Sequence, residues 1–473
     1  MSAPPLHHLT LVEAAEAARR GDVTAVALTE AALARLSDLG PQFNCTMTVD
    51  GQRALENADR LDRERREGGR CGPLHGVPLA HKDLFYRAGR RVTFGSPIHE
   101  RTVADTTATV LRRLDAAGAL DLGTLHLSEF AFSPTGYNKH FGHGRNPWNP
   151  DHVPGGSSSG PAAAVAGRLV HGSLGTDSGG SIRHPAAMCG VTGLKPTQSR
   201  VSRAGVAPLS FSLDCVGPMA RTARDCARLL EIIAGADAAD PTASRQPVGK
   251  YEEGLTGELR GLTIAAPRTY YYDHVTEEVR SRLEDSLAVL RELGATIVET
   301  GVPDMALING LAQLVMAVEA ATVHQKWLAT RRDDYAALVR SRIEPGLFIP
   351  ATRYCEALSL RARISSEYLD ATFGNADVVH LPAVSIPVPT ISETTADDPV
   401  KVAQRLGAIT HCTRGVNYLG LPAISVPAGF TSNGLPCAFQ LVGRPFAEGL
   451  LLRAADAYQR LTDWHERVPA AAR

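Results

Sequence analysis

Three residues of this chain could together cut a covalent bond. Lys82 lies near the end of an apolar run, PLHGVPLAHKDLF (residues 73–85), while Ser157 and Ser181 stand in two glycine-rich turns, GGSSSG and DSGGS. A serine hydroxyl is a weak nucleophile until a base takes its proton. Lysine can be that base only when neutral, and burial in apolar surroundings favours the neutral form. The trio therefore describes serine nucleophilic catalysis with a buried lysine base. A structural alternative pairs Lys82 with Asp83. Neighbouring residues on a strand point to opposite faces, which makes that pairing awkward.

Other constellations are weaker. Gly156–Gly160 reads GSSSG, a formal G-x-S-x-G nucleophile elbow with Ser158 at its centre. An elbow needs a strand to feed it, and the preceding NPWNPDHVP has three prolines and no β-branched run. His140 and His143 sit three apart around a glycine, with no cysteine or carboxylate close in sequence, a poor arrangement for shared metal ligation. Neither phosphate-loop pattern, G-x-x-x-x-G-K-[ST] or G-x-G-x-x-G, occurs. No metal and no cofactor is expected.

The trio needs elements that bring distant segments together. The run at residues 73–85, entered through Gly76 and Pro78 and closed by His-Lys-Asp, reads as a buried strand that delivers Lys82 at its end. AAAVAGRLV reads as a small-residue helix packed closely on a sheet, following the GGSSSG turn. Thr10 and Glu13 make a capping box for a first helix that Gly21 ends, and a second amphipathic helix follows. A further helix is expected from Asp105 to about Ala117, stopped by Gly118. LRGLTIAAP, VTEEVRSRLEDSLAVLREL and GATIVETGVP form a strand–helix–strand unit, which implies parallel pairing. Residues 303–373 look mostly helical, and two apolar β-rich runs, ADVVHLPAVSIP and LPAISVPAGF, follow.

The chain has 473 residues, 44% hydrophobic and 21% charged, and a net charge of −1. That balance gives no electrostatic footprint for nucleic acid or an anionic membrane. The eight scattered cysteines suggest reduced thiols in a cytoplasmic protein, and the N-terminal residues show neither a signal-peptide pattern nor a membrane span. The fold class expected is α/β, with a mixed, largely parallel twisted central sheet flanked by helices on both faces. No repeat or linker divides the chain, so residues 1–473 read as a single domain, with a catalytic core at about 70–235.

The block GGSSSGPAAAVAGRLVHGSLGTDSGGSIRHPAAMCGVTGLKPT resembles the signature of the amidase signature family of serine hydrolases. GPLHGVPLAHKDLF is similar to the family's lysine segment, and the C-terminal YLGLPAISVPAGF and GLPCAFQLVGRPFAEGLLLRAADAYQ are similar to its last region. The resemblance implies that Lys82 is the general base, Ser157 the bridging serine after a cis bond to Gly156, and Ser181 the nucleophile. It implies an oxyanion hole from the N–H groups of Ser178, Gly179, Gly180 and Ser181, with Asp177 holding the loop and Arg183 supporting the turn. Thr124-Leu125, where the family often has a lysine after the glycine, and Ser159-Gly160-Pro161, where many relatives have Gly-Gly-Ser, depart from the pattern.

The activity so implied is hydrolysis of a small-molecule amide, extending to carbamates, ureas and esters, by a free-standing enzyme. The alternative is the glutaminase subunit of a tRNA-dependent amidotransferase, which leaves tRNA to a partner. A homodimer is an admissible assembly. Candidate pocket residues are Phe132, Tyr137 and Ser158, with Phe130, Tyr270–Tyr272, Trp327 and Phe348 as further aromatic candidates, the last two in a helical, substrate-side segment at about 303–373.

Overall fold

The computed structural model describes residues 5–473. The capping box forms as read: the Thr10 side chain accepts from the Glu13 N–H, the Glu13 carboxylate accepts from the Thr10 N–H, and Gly21 closes helix Leu11–Arg20 at φ 84°. The second helix runs Ala25–Phe43. A third, Gly51–Arg66, follows, and the helix expected from Asp105 begins later, at Thr109. The preceding residues are committed to the loop, where the Ala108 N–H donates to the Tyr86 carbonyl.

Among the described residues, eleven strands build two sheets. They are β1 (Thr46–Val49), β2 (Pro78–Lys82), β3 (Leu120–Leu125), β4 (Gly172–Asp177), β5 (Thr192–Lys195), β6 (Cys215–Ala220), β7 (Thr263–Ala265), β8 (Thr296–Val298), β9 (Val378–Pro382), β10 (Ala423–Phe430) and β11 (Pro436–Gly443). The small sheet has order β1-β3-β2, and the large one β4-β6-β5-β10-β11-β9-β7-β8.

The large sheet is mixed, but not largely parallel. Only β7 pairs in parallel, with β8 and β9; the contacts β4/β6, β5/β6, β5/β10, β10/β11 and β9/β11 are antiparallel. The expected strand–helix–strand unit does form, as β7, helix Glu277–Glu292 and β8. The rest of the sheet joins segments far apart in sequence. Its antiparallel strands are buried almost throughout, and a continuous apolar run, usual for parallel strands, serves an antiparallel strand equally well once both faces are covered.

Helices Ser159–Ala166 and Arg183–Cys189 pack on each other and on the sheet, and helices Ala223–Ile233, Glu277–Glu292 and Glu448–Leu461 form a second group against it. The segment 303–373 is mostly helical, as expected, with helices Met305–Thr330, Ala337–Ile343 and Ala351–Tyr368. Met305–Thr330 is long and apolar enough to cross a membrane, with hydropathy 1.5 over its most apolar window. Yet Glu319 and His324 are buried on it and bonded within the protein, Glu319 to Ser212 and Tyr354, His324 to Tyr335.

Candidate active site

Lys82 is the last residue of β2 and is fully buried. β2 pairs with β3 and is tied to β4, where Ser173 Oγ donates to the Ala80 carbonyl at 2.6 Å and the Leu174 N–H to His81 Nδ1 at 3.1 Å. This junction of two sheets aims Lys82 at the loops that follow. Its Nζ donates to Ser157 Oγ at 2.7 Å and to Thr176 Oγ1 at 2.9 Å. Asp83 turns the other way, accepting from the Thr93 N–H at 3.0 Å. Among the described residues Lys82 therefore has hydroxyl partners and no ion pair. Burial pushes its pKa down to about 7, against the attraction of Asp214 and Asp177.

Ser157 stands in the turn before helix Ser159–Ala166, and the Gly156–Ser157 peptide is cis. Its carbonyl accepts from the Ser128 N–H at 3.2 Å. Glycine is required at 156, because a Cβ there would lie 2.6 Å from both the Gly136 nitrogen and the Ser133 carbonyl oxygen.

Ser181 lies between β4 and helix Arg183–Cys189 and is half-buried. The two turns touch: the Ser158 N–H donates to the Ser181 carbonyl at 3.2 Å. Ser158 Oγ faces inward and donates to the Thr176 carbonyl at 3.3 Å. Ser158 is fully buried, so it is neither an exposed elbow nucleophile nor a pocket residue. It fastens one turn to the other.

Asp177, the last residue of β4, organises the loop. Its carboxylate accepts from the N–H groups of Gly180 at 2.7 Å and Ile182 at 3.2 Å, from Arg183 Nε at 3.0 Å and from Asn417 Nδ2 at 2.9 Å. Burial alone would raise its pKa, but the charge and hydrogen bonds of Arg183 hold it well below the usual carboxylate range. Arg183 also donates to Gln440 Oε1, the Thr413 carbonyl and Asn417 Oδ1, at 2.9, 3.1 and 2.6 Å. A buried ion pair so satisfied tolerates neither partner's loss.

One expected oxyanion donor is reassigned by this geometry. The Gly180 N–H is committed to Asp177, whereas the N–H groups of Ser178, Gly179 and Ser181 have no protein acceptor among the described residues. Gly180 sits at φ 127°, where a Cβ would meet the His184 ring at 2.1 Å. Ser178 Oγ donates to the buried Asp214, which steadies the loop's other end.

A cleft of roughly 400 Å³ opens beside this loop, lined by Phe132, Gln313, Met316, Arg342 and Arg414 among others. A Cβ on Gly179 would lie 3.1 Å from Met316 Cε and 3.8 Å from Arg414 Cγ, which joins the cleft to the turn. Phe132 is the one expected pocket residue in it. Tyr137 is not among its lining residues; its ring stacks on His143 at 4.9 Å. Phe130 packs on His324, Trp327 and Tyr335, Tyr271 and Tyr272 are buried, and Phe348 is 83% exposed. His140 contacts the Glu129 carboxylate at 3.1 Å, and His143 Nδ1 accepts from the Asn138 N–H, so the two rings serve separate local contacts.

Sequence reasoning missed Thr176, Thr413, Asn417 and Gln440. Thr176 had a local signal, standing one residue before Asp177 on β4. The others meet the site only through long-range pairing.

The fold and the kinds of residue at this site are those of an enzyme acting on C–N amide bonds, and comparison with known proteins agrees. The Amidase family model matches residues 27–452. The chain belongs to the amidase signature family. It is 42% identical over 490 residues to the A subunit of the glutamyl-tRNA(Gln) amidotransferase from Roseiflexus sp. (strain RS-1), covering 98% of each chain. Among solved structures, a bacterial aryl acylamidase overlays with a TM-score of 0.89 at 25% identity, covering 99% of both chains. The corresponding A subunit from Thermotoga maritima overlays at 0.79 with 32% identity, covering 97% of this chain and 96% of that one.

Proposed function

We propose that this chain hydrolyses a carboxylic amide through an acyl-enzyme on Ser181, with Ser157 as proton relay and Lys82 as base. The observation that carries the reading is the buried Lys82 Nζ, 2.7 Å from Ser157 Oγ and without a carboxylate partner. Neutral Lys82 takes the Ser157 proton as Ser157 takes that of Ser181. Ser181 Oγ then bonds to the amide carbon. The oxygen charge that develops is met by the N–H groups of Ser178, Gly179 and Ser181; one such donor is worth about 3 kcal/mol. The proton returns through Ser157 to the leaving nitrogen as the C–N bond breaks, and water cleaves the ester.

Two finer readings follow. The curated relatives support an A subunit that releases ammonia for a tRNA-dependent amidotransferase, with tRNA bound by a partner, as the net charge of −1 allows. The closer overlay on an aryl acylamidase, 0.89 against 0.79, supports an amidase that works alone on a small amide. The test is ammonia and amine release by the purified chain from primary amides, anilides and glutamine, with Ser181→Ala as control. The variant is expected to fold and to lose turnover, and a fluorophosphonate is expected to label Ser181 in the wild type. Labelling elsewhere, or turnover by the variant, overturns the reading.

A further inference from the structure

The cleft beside Gly179 has an unusual charge content. Arg342 comes from helix Ala337–Ile343 and Arg414 from helix Arg414–Tyr418, and both line it. No Asp, Glu or Lys does. Among the described residues neither arginine forms an ion pair. Arg342 donates from Nη1 to the Phe132 carbonyl at 3.0 Å and lays its guanidinium 4.6 Å from the centre of the Phe132 ring. Its Nε and Nη2 have no protein acceptor among the described residues. Arg414 donates to Gln313 Oε1 at 3.2 Å and to Thr410 Oγ1 at 2.8 Å, both neutral. Burial, then the charge of Arg414, pushes the Arg342 pKa down to about 10, so it remains a cation at neutral pH.

Two guanidiniums in a partly desolvated cleft, with no anion to face, form an incomplete set. The group that completes it is planar and negative, and a carboxylate matches the guanidinium fork. Met316 and Arg414 border Gly179, two residues before Ser181, so the cleft adjoins the turn that carries the nucleophile. We infer that the acyl part of the substrate carries a carboxylate and no ammonium group, and that Arg342 and Arg414 seat that carboxylate. An ammonium on the same acyl part would enter a cleft of two cations with nothing to oppose it. This inference rests on the amide-hydrolysis reading and narrows its substrate class to carboxylated amides.

The experiment compares matched amides on the wild-type chain: succinamate and glutaramate, their neutral counterparts butanamide and pentanamide, and asparagine and glutamine, which differ from the first pair by one ammonium. A carboxylate seated by charge-assisted hydrogen bonds is expected to raise kcat/KM about 100-fold over the neutral amide. Glutamine and asparagine are expected to fall about tenfold or more below their ammonium-free partners. Arg342→Gln and, independently, Arg414→Gln should collapse the carboxylate-to-neutral ratio, and Arg342→Lys should keep part of it. A neutral amide cleaved as well as its carboxylated partner, or a preference for glutamine, overturns the inference. Calorimetry separates its failure from that of hydrolysis itself. Succinate or glutarate should bind the wild type and bind Arg342→Gln about tenfold more weakly. Dicarboxylate binding without cleavage of any amide would sink the hydrolysis reading alone. Cleavage of neutral amides without dicarboxylate binding would sink the carboxylate inference alone.

Discussion

Lys82 and Lys195 each end a strand, β2 and β5, and neither is exposed to solvent. Burial lowers the pKa of both. They part in what the amine faces. Lys82 donates to two hydroxyls, one of them Ser157, in contact with the turn that carries Ser181. Lys195 donates to the Pro196 carbonyl at 2.9 Å and lies 3.8 Å from Cys215 Sγ, while Cys215, Asp177 and Glu448 oppose its shift. A carbonyl cannot hand over a proton. Burial therefore disfavours the ammonium in both places, and only the hydroxyl partner makes the amine useful for proton transfer.

Replacement of Lys82 by alanine is the strongest test of that difference. It removes the base from a relay in which Ser157 Oγ has no other basic partner among the described residues, so kcat/KM for an amide should fall by several powers of ten. Near wild-type turnover in a folded Lys82→Ala protein would end the proposed mechanism. Ser157→Ala comes next. General acid–base transfer is worth about 10²–10⁴-fold, and a loss of at least that order is expected. The relay also protonates the leaving group, which matters more for an amine than for an alkoxide. The loss should therefore be larger for an amide than for a matched ester. Equal losses would remove Ser157 from leaving-group protonation, and a loss under about tenfold would remove it from the relay.

These two residues mark how far the sequence reading reached. The strand ending in Lys82 was legible because an apolar run, a proline entry and a polar exit all lie within residues 73–85. The turns were legible from their glycines and serines. What Asp177 binds was legible only in part: a carboxylate beside Gly-Gly suggests a held loop, but not that it takes the Gly180 N–H or that Asn417 and Gln440 complete it. Asn417, on helix Arg414–Tyr418, and Gln440, on β11, come from more than 200 residues away, carried in by a sheet whose antiparallel pairing leaves no mark in burial. Ser158, expected in the pocket, is buried instead, for a similar reason. The order G-x-S-x-G is satisfied by composition, whereas the direction of Oγ is fixed by β4 passing beneath it.

The pH profile sharpens the comparison at smaller scale. The Lys82 pKa lies near 7, lowered by burial, and the reactive form is the neutral one. Below that value the neutral fraction falls with each unit, so kcat/KM should drop about tenfold per pH unit and level off above it. The sign follows from the base being protonated in acid: activity is lost as pH falls. A profile flat from pH 5 to 8 would show that no group of this pKa controls the step.

Lys195→Met should have the smallest kinetic effect, and it tests the comparison from the other side. The substitution deletes a buried ammonium and leaves the Pro196 carbonyl without its donor, which costs about 1–3 kcal/mol as an unsatisfied buried group. It also removes a cation whose charge helps hold the Asp177 pKa down. Arg183 dominates that effect, through its own charge and its direct bonds to the carboxylate, so the loop should stay ionised and in place. The expected outcome is a lower Tm, kcat/KM within about fivefold of wild type, and an unchanged midpoint in the pH profile, since Lys195 does not touch the relay. The midpoint is the discriminating reading, because a purely structural loss changes the amount of active protein and leaves the titration where it was. A shift of that midpoint by a full unit, in protein that remains folded, would mean that Lys195 and Lys82 share one titrating system, and the division drawn between them would fail.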